Sequence, residues 1–552
     1  MKKGKKILSG ILAASILMAV TACGGDDTSS SADTSSADNT VQTEDAGSDA
    51  GAQSEDSGSE AGTQKDYSEK ITVSWAEVIE GDEGIDYTQD DVYKAVQEKF
   101  NLDIEVTPLT WGNWVENLRI WINSGDMPDV VNWNYVHSEF MDYVDQGLVR
   151  KLDDDWKERW PETAKLYALT GIGEELDELL GGTYCLPVPI YFNNKPAETL
   201  TQHYQTYMRK DWIEAVGVEV KDYYTYDEFL DLARKMKEQD PGNVGANFYP
   251  ITSYSNMLVS GLVYQMYEHS SPDKIFYKGD DGKYRWGGAD EETYEALKWV
   301  QDAWKEGLIH PEFYTLNQGE DEDMMTIAGT SAIFWAGGLS SNYSMFANEM
   351  SQNGLNPDES LLSAFLVDND GKFHGLETAN YFGALLFNPD MDDATFERVM
   401  DVIEFSCTQE GQLLMNLGFE GVEYEVESDG SLKALTEADP LSTYPSIRFF
   451  QTFATRRDDF QIINPSTPQQ YRDKQVEQYQ DKYSLLTDDT LAKIDWDVVF
   501  HSSNAMNQVQ FTYPDEYSQL IVKDGDLREN WQNWVDEKMS LIQPVLDELN
   551  AK

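Results

Sequence analysis

Residues 71–133 read ITVSWAEVIEGDEGIDYTQDDVYKAVQEKFNLDIEVTPLTWGNWVENLRIWINSGDMPDVVNW. Ile71, Val73 and Trp75 alternate with polar neighbours, the period of a strand with one covered face, and Gly81 to Gly84 interrupt it. Val92, Val96 and Phe100 then recur every four residues, which places them on one helix face. Leu102, Ile104 and Val106 alternate again up to Pro108. Trp114, Leu118 and Ile122 line a second helix that stops at Gly125, and Val130-Val131 follows Pro128 as a third short strand. Strand, helix, strand, helix, strand implies right-handed crossovers and therefore a parallel sheet with helices on its faces. Ligands of such sheets bind beyond the carboxyl ends of the strands. Here those ends carry Trp75 and Glu77, Thr110 and Trp111, and Trp133, Asn134 and Tyr135.

Further along, Thr225-Tyr226-Asp227-Glu228 reads as a capping box that opens a helix with Phe229, Ala233 and Met236 on one face. Leu297, Val300 and Trp304 mark another helix, residues 395–416 form a long amphipathic stretch, and Trp531, Val535, Met539 and Ile542 define a final helix. Single hydrophobic cores stop growing at about 250–300 residues, so a chain of 552 residues divides into two α/β lobes.

The N-terminus has a different character. Lys2, Lys3, Lys5 and Lys6 precede an apolar run from Ile7 to Val20, the pattern of a secretory signal. Val20-Thr21-Ala22-Cys23 resembles a bacterial lipobox, which implies that Cys23 is lipidated and becomes the first mature residue. Residues 24–65 are almost wholly Gly, Ser, Thr, Ala, Asp, Glu and Gln, too polar to offset chain entropy by burial, and read as a disordered acidic tether.

The whole chain has 41 Lys+Arg against 100 Asp+Glu, a formal charge of −59. The segment 66–552 alone carries 36 basic and 90 acidic residues, so the tether does not account for the acidity. Such a surface excludes nucleic acid, whose phosphates demand clustered Lys and Arg. Three Cys exclude a disulfide scaffold. Cys185 and Cys407 read as buried thiols, with a disulfide open after export. The six His are scattered without metal-ligand spacing, and no G-x-S-x-G, P-loop or G-x-G-x-x-G occurs, so no catalytic constellation or cofactor site is expected.

Several segments, in order, resemble the extracellular solute-binding proteins of ABC transporters, in particular the large lipoprotein group that serves carbohydrate importers. They are Ser124-Gly125-Asp126-Met127-Pro128-Asp129-Val130, Gly147-Leu148-Val149, Gly182-Thr183-Tyr184-Cys185-Leu186-Pro187, Tyr207-Met208-Arg209-Lys210-Asp211-Trp212 with Thr225 to Phe229, Met325 to Trp335, and Gln409-Glu410-Gly411-Gln412. The resemblance implies a two-lobed periplasmic-binding-protein-like fold of type II, each lobe a mainly parallel sheet flanked by helices, closing on its solute by a hinge. It places lobe 1 at 66–200 plus 333–415 and lobe 2 at 201–332 plus 416–552. Arg209 and Asp211, at a helix start, read as a structural ion pair. Alginate-binding members of the group carry a calcium loop; the matching stretch here keeps Asp240, Asn243 and Asn247 but lacks the later carboxylates that calcium favours.

A sugar site combines exposed aromatic planes with hydrogen-bonding side chains. Trp75, Trp111, Trp133 and Trp335 at strand ends, Tyr135, Tyr254 and Tyr381 near turns, and Glu77, Asn134, Asn193 and Glu377 as polar partners are the candidates. Trp114 and Trp304 lie on apolar helix faces and read as core, Trp299 as surface. The expected function is a monomeric, lipid-anchored protein on the extracellular face of a bacterial membrane. It would bind oligosaccharides, neutral ones by the charge argument, and deliver them to membrane permease subunits. A peptide or other organic solute, a sensory role, and a lipoprotein glycan-active enzyme are the alternatives.

Overall fold

The computed structural model describes residues 65–78, 86–110, 114–133, 138–170, 172–189, 204–377, 381–428, 432–436, 438, 440–454, 467–509 and 511–552. The expected signal, Cys23 and nearly all of the tether lie outside them. From Lys70 onward the described residues form one unit of the chain. Its strands, in chain order, are β1 Ile71–Val78, β2 Leu102–Leu109, β3 Val130–Trp133, β4 Leu186–Pro189, β5 Tyr204–Arg209, β6 Tyr223–Thr225, β7 Phe276–Lys278, β8 Tyr284–Trp286, β9 Ile333–Gly337, β10 Leu361–Val367, β11 Gly375–Leu376, β12 Tyr381–Phe387, β13 Tyr424–Val426, β14 Leu432–Ala434 and β15 Leu491–Ala492.

The local signals are realised as the sequence implies. Asp90 caps the helix Asp91–Phe100 by accepting from the Tyr93 amide, and Val92, Val96 and Phe100 are buried. Thr225 and Glu228 exchange both bonds of a capping box, and Phe229, Ala233 and Met236 are fully buried behind it. The stretch 395–416 is two helices, Asp393–Cys407 and Gln409–Leu417, because Thr408 stops one and caps the next through the Gly411 amide.

Two sheets carry the fold, in the orders β2-β1-β3-β12-β4 and β6-β10-β5-β9. β1 runs parallel to β2 and β3, whereas β12 is antiparallel to both its neighbours. In the second sheet β10 is parallel to β6, and β5 is antiparallel to β10 and β9. Each sheet is thus parallel except for one strand. Those two strands, β5 and β12, are the first to arrive from the other lobe. A strand fed from the joint enters its sheet at the joint end and runs away from it. Strands delivered by crossover helices all run toward it.

The sheets place the lobe crossings differently from the expected joins at 332 and 415. β9 hydrogen-bonds to β5, and Phe334 stacks on Tyr207 at 5.3 Å, so 333–367 belongs with lobe 2. The chain returns to lobe 1 only at β12. It also stays there past 416. The amide and hydroxyl of Ser446 donate to Asp90, and Phe449 packs edge-on against Trp75 at 5.3 Å. The helix Gln469–Leu485 is back in lobe 2, where Gln478 bonds to Ser363. The crossings therefore fall between Pro189 and Tyr204, between Val367 and Tyr381, and between Ala454 and Thr467. Hydrogen-bond pairing is what decides them, and pairing partners leave no local trace in sequence.

A ribbon of β11 against β15 runs along the second crossing. Beside it, His374 Nδ1 lies 2.6 Å from Glu268 Oε1 and Nε2 lies 3.1 Å from Asp368 Oδ2. Burial alone would lower the imidazole pKa, but the Glu268 bond and charge, then those of Asp368, outweigh it and raise it. A histidine pKa raised on folding stabilises fully below about 6.5 and loses that contribution as pH rises through the folded value. His374→Ala is therefore expected to cost about 1–3 kcal/mol at pH 5.5 and clearly less at pH 9, read as melting temperature against pH.

Candidate ligand-binding cleft

The crossings join Pro189 to Tyr204 and Val367 to Tyr381, so these strand ends of both sheets border the joint between the lobes. On lobe 1 this edge includes Glu77, Leu109 and Trp133. On lobe 2 it includes Tyr204, Gly337 and Val367. It is the edge at which open α/β sheets bind ligands.

Glu77 is buried and accepts from Asn132 Nδ2 at 3.0 Å, two strand-end residues held by their register on β1 and β3. Trp133 ends β3 and Tyr381 begins β12, and both lie at this edge by backbone position. Trp111, Asn134, Tyr135 and Asn193 lie outside the described residues. Tyr254 is half-buried next to the start of lobe 2's first helix after Pro250, and its amide donates to Asp321 at 3.2 Å. Burial, then the neighbouring Tyr204 and Asp321, push its phenol up to about 12.

Three candidates are placed elsewhere. Trp75 is 0% exposed and packs on Phe449, so it presents no face to a ligand. Trp335 is 1% exposed and meets Phe229 edge-on at 5.8 Å. A Cβ on Gly261 would come within 2.4 Å of its ring, so glycine is what lets the indole fit. Trp75 lies three residues and Trp335 two residues before the end of its strand, and both indoles point into the layer beneath rather than out of the strand end. Glu377 belongs to the hinge: its amide donates to Ala492 O and its carboxylate accepts from the Ile494 amide, each at 2.8 Å. Trp299, read as surface, is half-buried and stacks on Phe229. Arg209 and Asp211 form the expected ion pair, bidentate at 2.8 and 2.6 Å, with the guanidinium over Trp212.

The calcium candidate is closed by its own hydrogen bonds. Asp240 accepts from the Val244 and Gly245 amides at 2.8 and 2.7 Å, and the Lys237 ammonium donates to Phe248 O while lying 4.4 Å over the Tyr249 ring. Asn243 and Asn247 are exposed. The carboxylate that would anchor a cation is already engaged, and a lysine supplies the local positive charge. Among the described residues no group of three or more His, Cys, Asp or Glu could hold a metal ion. Cys185 and Cys407 are both buried thiols.

Asp321 and Glu322 were not singled out by sequence. In the acidic run Glu320 to Asp323, nothing marks which carboxyl is covered. Asp321 is fully buried and accepts from Ser253 Oγ and the Tyr254 amide, while its Oδ1 has no hydrogen-bond partner. Burial raises its pKa to about 6. Glu322 is raised to about 7 by burial, then by Asp321, Glu349 and Asp323. A carboxyl whose pKa rises on folding lowers stability above that pKa and is neutral to it below about 4.5. Glu322→Gln should therefore raise the melting temperature at pH 8 and leave it unchanged at pH 4, by calorimetry at both values.

The model of the family described as bacterial extracellular solute-binding protein matches residues 81–359, half of the chain. A search of curated proteins finds no match. Among solved structures, the chain resembles an HMO-binding solute-binding protein associated with an ABC transporter of Bifidobacterium longum infantis. The TM-score is 0.60 and the identity 14%, over 87% of this chain and 98% of that one. It also resembles the substrate-binding protein FusA of S. pneumoniae in complex with kestose, with a TM-score of 0.61 at 15% identity over 87% and 98%. The alginate-binding protein AlgQ2 without calcium ion gives a TM-score of 0.61 at 15% identity over 88% and 98%. The matched half of the sequence and the two sheets with one reversed strand each agree: the chain belongs to the family of bacterial extracellular solute-binding proteins.

Proposed function

We propose that this protein captures oligosaccharides, neutral ones, between its two lobes and delivers them to the permease subunits of an ABC importer. Family membership makes it a binding component rather than an enzyme. In this reading Cys23 carries the lipid, residues 24–65 span the distance to the fold, and the protein acts as a monomer at the extracellular face of the membrane. Among the described residues no helix is long and apolar enough to cross a membrane.

The observation that carries the ligand class is the make-up of the cleft edge. Tyr204 and Tyr254 offer partly exposed rings, Tyr254 within reach of the half-buried Glu322 carboxyl, and the Glu77–Asn132 pair lies at the corresponding strand ends of lobe 1. Rings cover the C–H faces of sugars and the polar groups take up hydroxyls. Solved proteins of the same fold include an HMO-binding protein, a substrate-binding protein in complex with kestose and an alginate-binding protein. Between neutral glycans and uronates, a segment 66–552 with 90 acidic against 36 basic residues favours the neutral class.

Titration calorimetry against kestose, Man5GlcNAc, maltotriose and an alginate trisaccharide tests this. At least one neutral sugar is expected to bind at micromolar Kd or tighter, about −8 kcal/mol or better, without cleavage. Silence on all four, with binding of peptides, would sink it. For the anchor, Cys23→Ala is expected to move the protein from the membrane fraction into the medium. Retention of the variant in the membrane fraction overturns that part.

A further inference from the structure

Lys274 is an unusual residue to find where it is. It belongs to the turn Pro272–Lys274, is 7% exposed, and is neither at the surface nor paired. Its backbone is fully committed, the amide to Ser271 O at 3.0 Å and the carbonyl to His269 Nδ1 at 2.9 Å, so the side chain is firmly placed. Yet its ammonium takes part in no ion pair or hydrogen bond, although three carboxylates, Asp273, Glu377 and Asp495, act on it at longer range. Covering most of a lysine while its ammonium gains no protein partner is costly, and such violations concentrate at functional sites.

The neighbours locate it. Glu377 ends the hinge ribbon just before the crossing into lobe 1, and its carboxylate holds the Ile494 amide. Asp495 follows directly, caps the helix Trp496–Val499 and accepts from Tyr284 OH at 3.2 Å. That helix reaches across the joint, since Trp496 and Phe500 pack against the lobe 1 core. On the other side, Asp273 acts on Tyr204, the first residue of β5, and on Tyr264. Asp273 is open to water, although the protein around it dehydrates it enough to raise its pKa. The Tyr264 hydroxyl, on a residue 5% exposed, has no hydrogen-bond partner. Lys274 and Tyr264, both nearly buried residues whose polar tips make no hydrogen bond within the protein, thus lie within electrostatic reach of one carboxylate, Asp273, on the lobe 2 side of the crossing.

We propose that Asp273, Lys274, Tyr264 and Tyr204 form a lobe 2 subsite that takes adjacent hydroxyls of a neutral sugar, resting on the cleft reading above. The ammonium donates to one sugar oxygen while the Asp273 carboxylate accepts the proton of the next hydroxyl, so each group gains the partner it lacks. The phenols can donate or accept. Three carboxylates against one ammonium leave the local charge negative, which repels a uronate or a phosphate and suits an uncharged polyol. Sequence reading passed over this site because Pro272-Asp273-Lys274 is an ordinary turn tripeptide.

Lys274→Met and Asp273→Asn, each measured against kestose, Man5GlcNAc, maltotriose and an alginate trisaccharide, test the proposal. For the neutral sugar that the wild type binds best, both variants are expected to bind about 10- to 100-fold more weakly at pH 7, the loss of a charge-assisted hydrogen bond. Wild-type affinity should fall as pH rises through about 8, where burial places the lysine's titration, and Lys274→Met should be flat over that window. The Lys274→Met melting temperature should equal or exceed the wild type's, because a buried cation has been removed; this separates lost contact from lost fold. Undiminished affinity in both variants overturns the subsite and leaves the cleft reading standing. Alginate binding better than every neutral sugar overturns the choice of ligand class. Failure of the wild type to bind any of the four overturns the cleft reading and the subsite with it.

Discussion

A strand that arrives directly from the other lobe has to enter its sheet from the joint, and most of the architecture depends on that constraint. β5 and β12 obey it, and each runs against every other strand of its sheet. The reversal leaves the carboxyl ends of the remaining strands at the end of each sheet where the chain crosses. The connecting segments are held by the short ribbon of β11 on β15 and by the Glu377 and His374 bonds beside it. Cleft and hinge are thus consequences of one topological choice.

Several groups on the lobe 2 side of the joint are shifted by burial, in contrast to the bidentate Arg209–Asp211 contact. Near the cleft, Asp321 and Glu322 are raised toward neutral pH by burial, and Lys274 is lowered to about 8 by burial against the pull of three carboxylates. Each shift marks a group that loses water on folding without a full replacement partner. Loss of stability at such groups is the usual cost of a surface prepared for a polar ligand.

Particular residues show how far the sequence could be read. The helix faces Val92–Val96–Phe100 and Phe229–Ala233–Met236 and the capping box at Thr225 all appear where periodicity and capping chemistry place them. These depend on neighbours within a few residues. Trp75 and Trp335 were less legible: their strands were clear, but proximity to a strand end did not reveal that both rings point into the core. The lobe crossings after 332 and 415 were misplaced because β9 pairs with β5, and Ser446 with Asp90, across hundreds of residues.

By itself, the sequence determined the alternation of strands and helices, the separate character of its first 65 residues, the acidity that excludes nucleic acid, and the resemblance to solute-binding proteins. All of these are written in local pattern or composition. The tertiary structure alone decided which strands share a sheet, where the chain changes lobes, which tryptophans are core, and that Lys274 and the Tyr264 hydroxyl are covered without a protein partner. Those outcomes depend on long-range pairing and on which groups lose water, and neither is set until the chain has closed on itself.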